Sequence, residues 1–254
     1  VDQANNQTTM NFTIDKTAPI VTGVENDKHY NKDVKIAFND GTATLNGIDF
    51  ESGTEVTQEG TYTLIVVDHV YNYTTVNFII DKTAPVITVT EYITTPTNQD
   101  ITITASTNEG TLNQESYTFK ENGSFTFMAT DEAGNVTEET ITITNIDKVA
   151  PVITIEDYIT TPTNQNIKVT ASTNKGTLNQ ESFTFTENGS FTFIATDEAG
   201  NVTKETVTIT NIDKVAPVIT IDDNSSTPTN QSIIVTASTN KGTLNQTSYT
   251  FIKN

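Results

Sequence analysis

Acidic and amide side chains recur in this chain at an interval that suits the binding of a divalent cation. Asp81 and Asp147 are 66 residues apart, and the same interval separates Asp131 from Asp197. Calcium takes about six to eight oxygen ligands from carboxylates, amides and backbone carbonyls, so loops that bring such residues together would bind it. The candidate calcium ligands are Asp81, Asp131, Glu132, Glu121, Asn145, Asp147, Asp197 and Glu198.

Turn formation is the alternative explanation for the same residues. Asp and Asn side chains in loops commonly accept hydrogen bonds from backbone N–H groups a little further along the chain. Residues 131–135, Asp-Glu-Ala-Gly-Asn, have the composition of such a turn, and Asp147-Lys148 is explained as a solvated ion pair. We therefore expect either calcium at these positions or no cofactor.

Catalysis is not indicated by the residues that remain. The chain has no cysteine, and its two histidines are His29 and His69. They form no recognisable set of nucleophile, base and orienting group. Neighbouring carboxylates such as Glu138 and Glu139 point to opposite faces of a strand, so they cannot act on one substrate. We expect no enzyme activity and no catalytic residues.

The net charge excludes two classes of partner. The chain carries 13 basic and 32 acidic residues, a net charge of −19. Nucleic acids and anionic membrane surfaces both need clusters of lysine and arginine, which this chain lacks. No apolar run reaches the roughly 18 residues of a membrane-spanning helix. We expect no nucleic-acid partner and no membrane insertion.

A 66-residue repeat organises the chain. Asp-Lys recurs at residues 15, 81, 147 and 213, each time followed by a residue of varied type and then Ala-Pro. A fixed period of this kind indicates a tandem array. The second and third complete repeats differ at 13 of 66 positions. The predicted divisions are a last strand of a preceding repeat at 1–16, a first repeat at 17–82, a second at 83–148, a third at 149–214 and a truncated fourth at 215–254.

Both ends of the sequence interrupt a repeat, so we expect it to be part of a longer protein. Residues 215–254 have no counterpart of residues 123–148. We therefore expect this fourth repeat to be frayed or to borrow a strand from another molecule. The orphan strand at residues 8–14 is a candidate donor.

Apolar residues alternate with polar ones along the repeats, as Phe125 and Phe127 alternate with Ser124 and Thr126. This period of two puts one face of a strand in a core and the other in water. Short strands separated by turn signals are typical of a β-sandwich. We predict an all-β array of small sandwiches, three complete and one truncated. The predicted strands of the second repeat are 86–90, 101–106, 111–114, 116–120, 124–130 and 136–145.

The repeat resembles a known family. It opens with Asp-Lys-Thr-Ala-Pro-Val-Ile-Thr at 81–88 and closes with Phe-Thr-Phe-Met-Ala-Thr-Asp-Glu-Ala-Gly-Asn-Val-Thr at 125–137. Both segments are similar to the bacterial immunoglobulin-like repeats of surface adhesins, S-layer-associated proteins and multidomain secreted enzymes. The first repeat departs from the pattern, because Tyr71 stands where the others have glycine. The resemblance implies immunoglobulin-like sandwiches on a bacterial cell surface, in the cell wall or in a secreted protein.

The immunoglobulin-like topology predicts which acids meet at each junction. The loop before the last strand lies at the N-terminal end of such a sandwich, beside the linker from the preceding repeat. At the first junction this brings Asp81 towards Asp131 and Glu132. At the next junction it would gather Glu121, Asn145, Asp147, Asp197 and Glu198.

We expect the array to be a non-catalytic spacer or stalk of a bacterial surface or secreted protein, holding a distal head domain. Length is gained by duplication, whereas a ligand site usually makes one repeat differ. The proline after each Asp-Lys favours an extended, semi-rigid chain with neighbouring repeats as its contacts, about 35–45 Å per repeat. Two alternatives stay open. The repeats, notably His29 and Tyr30, bind host protein or glycan directly, or the array is an accessory module of a secreted enzyme.

Overall fold

The computed structural model of the protein describes residues 1–222 and 228–252. Every regular element in these residues is a β-strand, which confirms the predicted all-β class. Among the described residues no helix is long and apolar enough to cross a membrane. The contacts between residues divide the chain into two compact units, Val1–Asp147 and Lys148–Asn254.

Within the first unit, the strands of the first repeat are β1 Val21–Thr22, β2 Lys28–Tyr30, β3 Val34–Phe38, β4 Thr42–Leu45, β5 Ile48–Phe50, β6 Thr54–Val56, β7 Gly60–Val67 and β8 Tyr73–Ile80. They form a five-stranded sheet of order β2-β8-β7-β4-β5 and a three-stranded sheet of order β1-β3-β6. A tight turn at Asn46-Gly47, both with positive φ, joins β4 to β5, as expected of a two-residue hairpin.

The second repeat has six strands, and each lies within three residues of its predicted bounds. They are β9 Ile87–Val89, β10 Ile101–Thr107, β11 Thr111–Leu112, β12 Ser116–Phe119, β13 Gly123–Thr130 and β14 Val136–Ile143. These strands form two three-stranded antiparallel sheets, β12-β10-β9 and β11-β13-β14.

In the second unit the strands are β15 Ile153–Ile155, β16 Ile167–Thr173, β17 Thr177–Leu178, β18 Ser182–Phe185, β19 Gly189–Thr196, β20 Val202–Ile209, β21 Ile219–Asp222, β22 Ile233–Thr239 and β23 Ser248–Phe251. The third repeat reproduces the arrangement of the second, with sheets β15-β16-β18 and β17-β19-β20. The described part of the fourth repeat forms one sheet of order β21-β22-β23.

Each of the first three repeats encloses its own apolar core between two sheets. In the second repeat, fully buried Ile103 and Phe127 face each other from opposite sheets. Tyr117 stacks on Phe125 across the same gap, with ring centroids 4.0 Å apart. Alternate residues of β13 and β14 point outward, where Thr126 and Thr140 hydroxyls are 2.9 Å apart. The period-two pattern therefore predicted the buried face correctly.

Within the chain neither a strand at residues 8–14 nor a frayed fourth repeat is found among the described residues, and strand exchange with another molecule stays a prediction. Residues 8–14 form no strand, because none of the described residues pairs with them in a ladder. The fourth repeat is not frayed where it is described: Ile219 pairs with Thr239 as Ile153 pairs with Thr173 in the third repeat. The strand sequences of the two repeats are nearly the same, so the same sheet forms. Residues 223–227 and 253–254 lie outside the described residues.

Candidate functional site

The segment at residues 81–86 (the first linker) joins the first repeat to the second, and the first repeat holds it tightly. Asp81 N donates to the Tyr30 carbonyl oxygen at 2.9 Å. Lys82 N donates to Glu59 Oε1 at 2.5 Å, and the Lys82 ammonium forms an ion pair with Asp33 of the same repeat. Hydrogen bonds from both backbone and side chain thus restrict the linker on its N-terminal side.

The second repeat holds the other side of the first linker. Asn135 Nδ2 donates to the Asp81 carbonyl oxygen at 2.8 Å. Val86 N donates to Asn108 Oδ1 at 2.6 Å, and Asn108 N returns a bond to the Val86 carbonyl oxygen at 3.3 Å. The linker is therefore hydrogen-bonded to the repeats on both sides, which opposes free rotation between them.

The loop at residues 131–135 shapes the contact between Asn135 and the linker. Asp131 Oδ1 accepts a hydrogen bond from Asn135 N at 2.8 Å, and Oδ2 accepts one from Asn135 Nδ2 at 2.7 Å. Gly134 has φ +89°, which only glycine adopts without strain. These are the bonds expected of turn formation. The same aspartate-to-asparagine pairing occurs at Asp2 and Asn6, Asp68 and Asn72, and Asp197 and Asn201.

All four of these aspartates have a pKa below the ordinary value, and the causes are clearest for Asp131 and Asp197. Burial raises the pKa of Asp131, but hydrogen bonds from the Asn135 side chain and from loop N–H groups outweigh it, so the net pKa lies below the ordinary value. Burial also raises the pKa of Asp197, and hydrogen bonds from Asn201 and Lys175 bring it down to about 2. The Lys175 ammonium lies 3.0 Å from Asp197 Oδ2. Both groups are therefore held in the charged form that their partners need.

We expect the stability of the second unit to depend on pH through Asp197. Its pKa is about 2 in the folded chain against 3.8 for an ordinary aspartate, so its stabilising contribution is present above pH 3.8 and is lost as pH falls towards 2. Lys175→Met should raise this pKa and move the loss to higher pH. Urea midpoints measured at several pH values test this. Lys204→Met is the matched control, and an equal shift in both variants would contradict the prediction.

Three predicted calcium ligands meet at the first junction. Asp81, Asp131 and Glu132 line a cavity of about 420 Å³ together with His29 and Glu109. His29 Nε2 lies 3.3 Å from Glu132 Oε2, so this contact also joins the two repeats. Asp131 already accepts bonds within its loop. No group of three or more His, Cys, Asp or Glu residues in the described parts of the chain is placed to hold a metal ion.

Two of the other predicted ligands, Asn145 and Asp147, form hydrogen bonds within the second repeat. Asn145 Nδ2 donates to the carbonyl oxygens of Ile93 and Thr95, at 3.1 and 2.7 Å. Asp147 N donates to the Thr97 carbonyl oxygen at 2.9 Å. Glu121 and Glu198 have exposed side chains. Their proposed grouping with Asp197 involves both units and stays a prediction.

Sequence reasoning missed an asparagine that orders the start of every repeat. The backbone N of each asparagine donates to the carbonyl oxygen of the residue that follows the linker proline. Its side-chain Oδ1 accepts a hydrogen bond from the backbone N of that same residue. Three of the four recur at intervals of 66, and this recurrence was the available signal. The pairs are Asn39 with Ile20, Asn108 with Val86, Asn174 with Val152 and Asn240 with Val218.

Asn135→Ala should loosen the first linker, because it removes bonds to both Asp81 and Asp131. Loss of these bonds is expected to cost about 1–2 kcal/mol of unfolding free energy and to speed amide exchange in residues 81–86. Asn113→Ala is the control, since Asn113 makes similar bonds to Thr126 and Met128 away from the linker. It should lower stability without affecting linker exchange. Equal linker exchange in both variants would contradict the assignment.

No protein-family model matches the chain, and no curated protein matches it. Among solved structures, a tetra-tandem repeat in the extending region of a large adhesion protein is 16% identical, covering 87% of this chain and 81% of that one, with a TM-score of 0.29. A Ca²⁺-stabilised adhesin that helps an Antarctic bacterium reach out and bind ice is 13% identical over 89% and 83%, with a TM-score of 0.32. A 1.5-MDa bacterial ice-binding adhesin is 13% identical over 78% and 99%, with a TM-score of 0.30. The first of these neighbours is named as a large adhesion protein, and the other two as adhesins of bacteria.

Proposed function

We propose that this chain is a non-catalytic spacer in a bacterial cell-surface or secreted multidomain protein. The observation that carries the proposal is the first linker, which is hydrogen-bonded to the repeats on both of its sides. A spacer transmits position only if its joints resist rotation, and these bonds supply that resistance.

Three further features support a spacer. The second and third repeats have equivalent strands with the same pairing, and they differ at few positions. Hydroxyl pairs such as Ser124 with Thr142 cover the exposed sheet face, where a ligand site would need convergent groups of several kinds. The high negative charge keeps neighbouring arrays apart in solution. Repeats of this kind extend a chain without adding reactivity.

The stiffness of the joint can be tested by distance measurement between dyes. The sequence has no cysteine, so Glu55→Cys in the first repeat and Glu138→Cys in the second give two unique attachment sites. Single-molecule energy transfer should show one narrow distance distribution. Adding Asn135→Ala with Glu59→Ala should broaden it, and adding Asn113→Ala should not. A broad distribution in the chain without these changes would refute the proposal.

Reach can be tested by deleting one repeat. Removal of residues 83–148 joins Lys82 to Val149 and keeps the Asp-Lys-x-Ala-Pro linker. For chains tethered at one end, a tag at the other should drop towards the surface by the length of one repeat. If the tag stays at the same height, or if every repeat retains host protein or glycan, the spacer proposal fails. An accessory module of a secreted enzyme would behave as a spacer in this assay.

Direct adhesion is the second candidate function, and one feature of the first repeat favours it. Tyr71 has φ +72° at a position where the second repeat has Gly134, and its side chain is 85% exposed. Tyr73, two residues further along the chain, is exposed as well. A strained, exposed aromatic loop is typical of a binding surface for protein or glycan. His29 and Tyr30 are poorer candidates, since His29 contacts Glu132 and the Tyr30 hydroxyl accepts a bond from Glu25 N.

Tyr71→Gly separates the two candidates. In a spacer it should leave surface reach unchanged and relieve strain at the turn. In an adhesin it should abolish retention of host protein or glycan. Tyr73→Thr alone tests whether the second ring contributes.

Calcium at the first junction remains a proposal, carried by the acids that line the cavity. Glu109 lies there, whereas the third repeat has Lys175, which pairs with Asp197. Calcium should therefore raise the melting temperature of the first unit, and Glu109→Lys should remove the effect because the ammonium takes the place of the cation. Calorimetric titration with calcium chloride, with magnesium chloride as control, measures this. A flat titration would remove the calcium hypothesis and leave the spacer proposal intact.

A further inference from the structure

The last strand of the third repeat, β20, has one edge with which no strand of the described residues pairs. Its sheet has the order β17-β19-β20, so β20 lies at the end of that sheet. The first repeat differs, because β2 pairs in parallel with the equivalent strand β8 and places β8 inside the sheet. An unpaired strand edge offers a row of backbone N–H and C=O groups to another extended chain.

In the first repeat the segment around β2 satisfies this row of backbone groups. Asn77 N donates to Asn26 Oδ1 at 2.8 Å, and Asp27 N donates to the Asn77 carbonyl oxygen at 2.7 Å. Thr206 holds the same place in β20 as Asn77 holds in β8. The backbone N–H and C=O of Thr206 therefore point away from β19, and no hydrogen bond from the described residues reaches them on that side.

Three features of the sequence keep this edge open. β20 ends three residues further from the next Asp-Lys than β8 does, so the parallel bridge of Thr163 forms with Ile212, beyond the end of β20. Pro162, just before this bridge, has no backbone N–H to donate to a ladder. Asn211 Nδ2 donates to the Thr161 carbonyl oxygen at 2.7 Å, so this carbonyl oxygen bonds to a side chain and not to β20.

An acidic groove of about 340 Å³ lies between the open edge of β20 and the segment that follows β15. Glu156, Asp157 and Glu205 line it, and none of them forms an ion pair with the described residues. Glu205 is exposed and takes the place of Val76, which is buried in the first repeat. The position that is apolar and covered in the first repeat is thus charged and open here, which favours a cationic partner.

We infer that the open edge of β20 binds an extended, lysine- and arginine-rich segment of another protein. The segment adds a strand beside β20 as β2 does beside β8, and its cationic side chains lie over Glu156, Asp157 and Glu205. A second copy of this chain is a poorer occupant, because its net charge of −19 opposes approach to the acidic groove. The first repeat does not bind the segment, since β2 closes its edge. This binding lies beyond the spacer role, which does not require it.

The second repeat contains an equivalent edge, which serves as an internal reference. β14 lies at the end of its sheet, and the parallel bridge of this repeat likewise forms beyond the end of β14. Thr140 corresponds to Thr206, and Glu139 stands in the place of Glu205. We therefore expect the same class of segment to bind at both edges.

Residue-resolved amide exchange on the full chain, with the peptide Lys-Thr-Lys-Thr-Lys-Thr-Lys as probe, tests the inference. Saturating peptide should slow exchange at Thr206 and Thr140 by about tenfold or more, because a new backbone hydrogen bond protects each N–H. Exchange at Asn77 should stay unchanged, since Asn26 already accepts from its N–H. Two control peptides should protect neither threonine. Glutamate in place of lysine removes the positive charge, and proline in place of threonine removes alternate N–H donors.

A double substitution in the third repeat tests the acids of the groove. Asp157→Asn with Glu205→Gln should raise the peptide concentration that protects Thr206 by roughly three- to tenfold, as expected for loss of two exposed charge contacts. Protection of Thr140 should need the same peptide concentration as before, because the second repeat is unchanged. Both substituted side chains are exposed, so β19 should keep its own amide protection.

Glu181→Gln with Glu187→Gln is the matched control, since it removes two exposed acids of the same repeat that lie outside the groove. It should leave the protection of Thr206 unchanged. Unchanged exchange at Thr206 at every peptide concentration, equal protection from either control peptide, or equal losses in the two double variants would each overturn the inference. Slower exchange at Thr206 on raising the protein concentration without peptide would assign the edge to a second copy of this chain and overturn it as well.

Discussion

Phe127→Ala is expected to lower the unfolding free energy of the second repeat by about 3–5 kcal/mol, the range for removing a large aromatic side chain from a core. Phe127 is fully buried and belongs to the cluster that includes Ile103 and Phe119. Its ring also meets Phe125 edge to face, with centroids 4.9 Å apart. A small repeat has little core to spare, so a loss of this size should unfold it at moderate temperature.

Met128→Ala is the control for this prediction. Met128 neighbours Phe127 on β13 but points to the outer face, where it is 37% exposed. Its replacement should cost well under about 1 kcal/mol. Residue-resolved amide exchange in urea measures both variants within the same repeat. Phe193→Ala should reproduce the large effect in the third repeat, and a small effect at both phenylalanines would contradict the assigned cores.

Gly176→Ala is expected to cost about 3–4 kcal/mol, because strain and a steric clash add together. Gly176 has φ +72°, and a Cβ atom there would lie 2.2 Å from the Thr196 carbonyl oxygen and 2.6 Å from Asp197 Cα. Both atoms belong to backbone, so neither moves away cheaply. Gly110 is in the same position relative to Thr130, with 2.3 Å to the carbonyl oxygen.

The chain contains its own control for this clash. Gly242 lies in the same local sequence, Asn-Lys-Gly-Thr, and has φ +73°, but a Cβ atom there would meet nothing within 4 Å. Gly242→Ala should therefore cost only the backbone strain, about 1 kcal/mol. The comparison separates conformational strain from tertiary contact. Equal costs measured by chemical denaturation would show that the contact with Thr196 does not matter.

The strands were predictable because their signal is local. Alternation of apolar and polar residues along 124–130 requires only the pleat of a strand, and β13 and β14 appear where this pattern predicts them. The turn at 131–135 was predictable for the same reason, since its bonds join residues four apart. Asp81 and Asp131 line one cavity, in agreement with the expectation that the loop before the last strand lies beside the linker.

Other contacts had no local signal. His29 and Glu132 are more than a hundred residues apart, and nothing near either of them indicates that they meet. Lys175 stands in the third repeat where the second has Glu109, but its ion pair with Asp197 exists because the fold brings two loops together. Residues 8–14 form no strand within this chain, since a strand depends on a partner as much as on its own pattern.

By itself, the sequence determined the period of 66 residues, the β-strands, their buried faces and the turns between them. All of these depend on neighbours in the chain, so one repeat carries the information for each. Only the tertiary structure decided how the first linker is held, that His29 and Glu109 line the same cavity as the predicted acids, and which loop receives the Lys175 ion pair. These depend on distances between residues far apart in the chain, and such distances are set when sheets pack and not by the pattern within any strand.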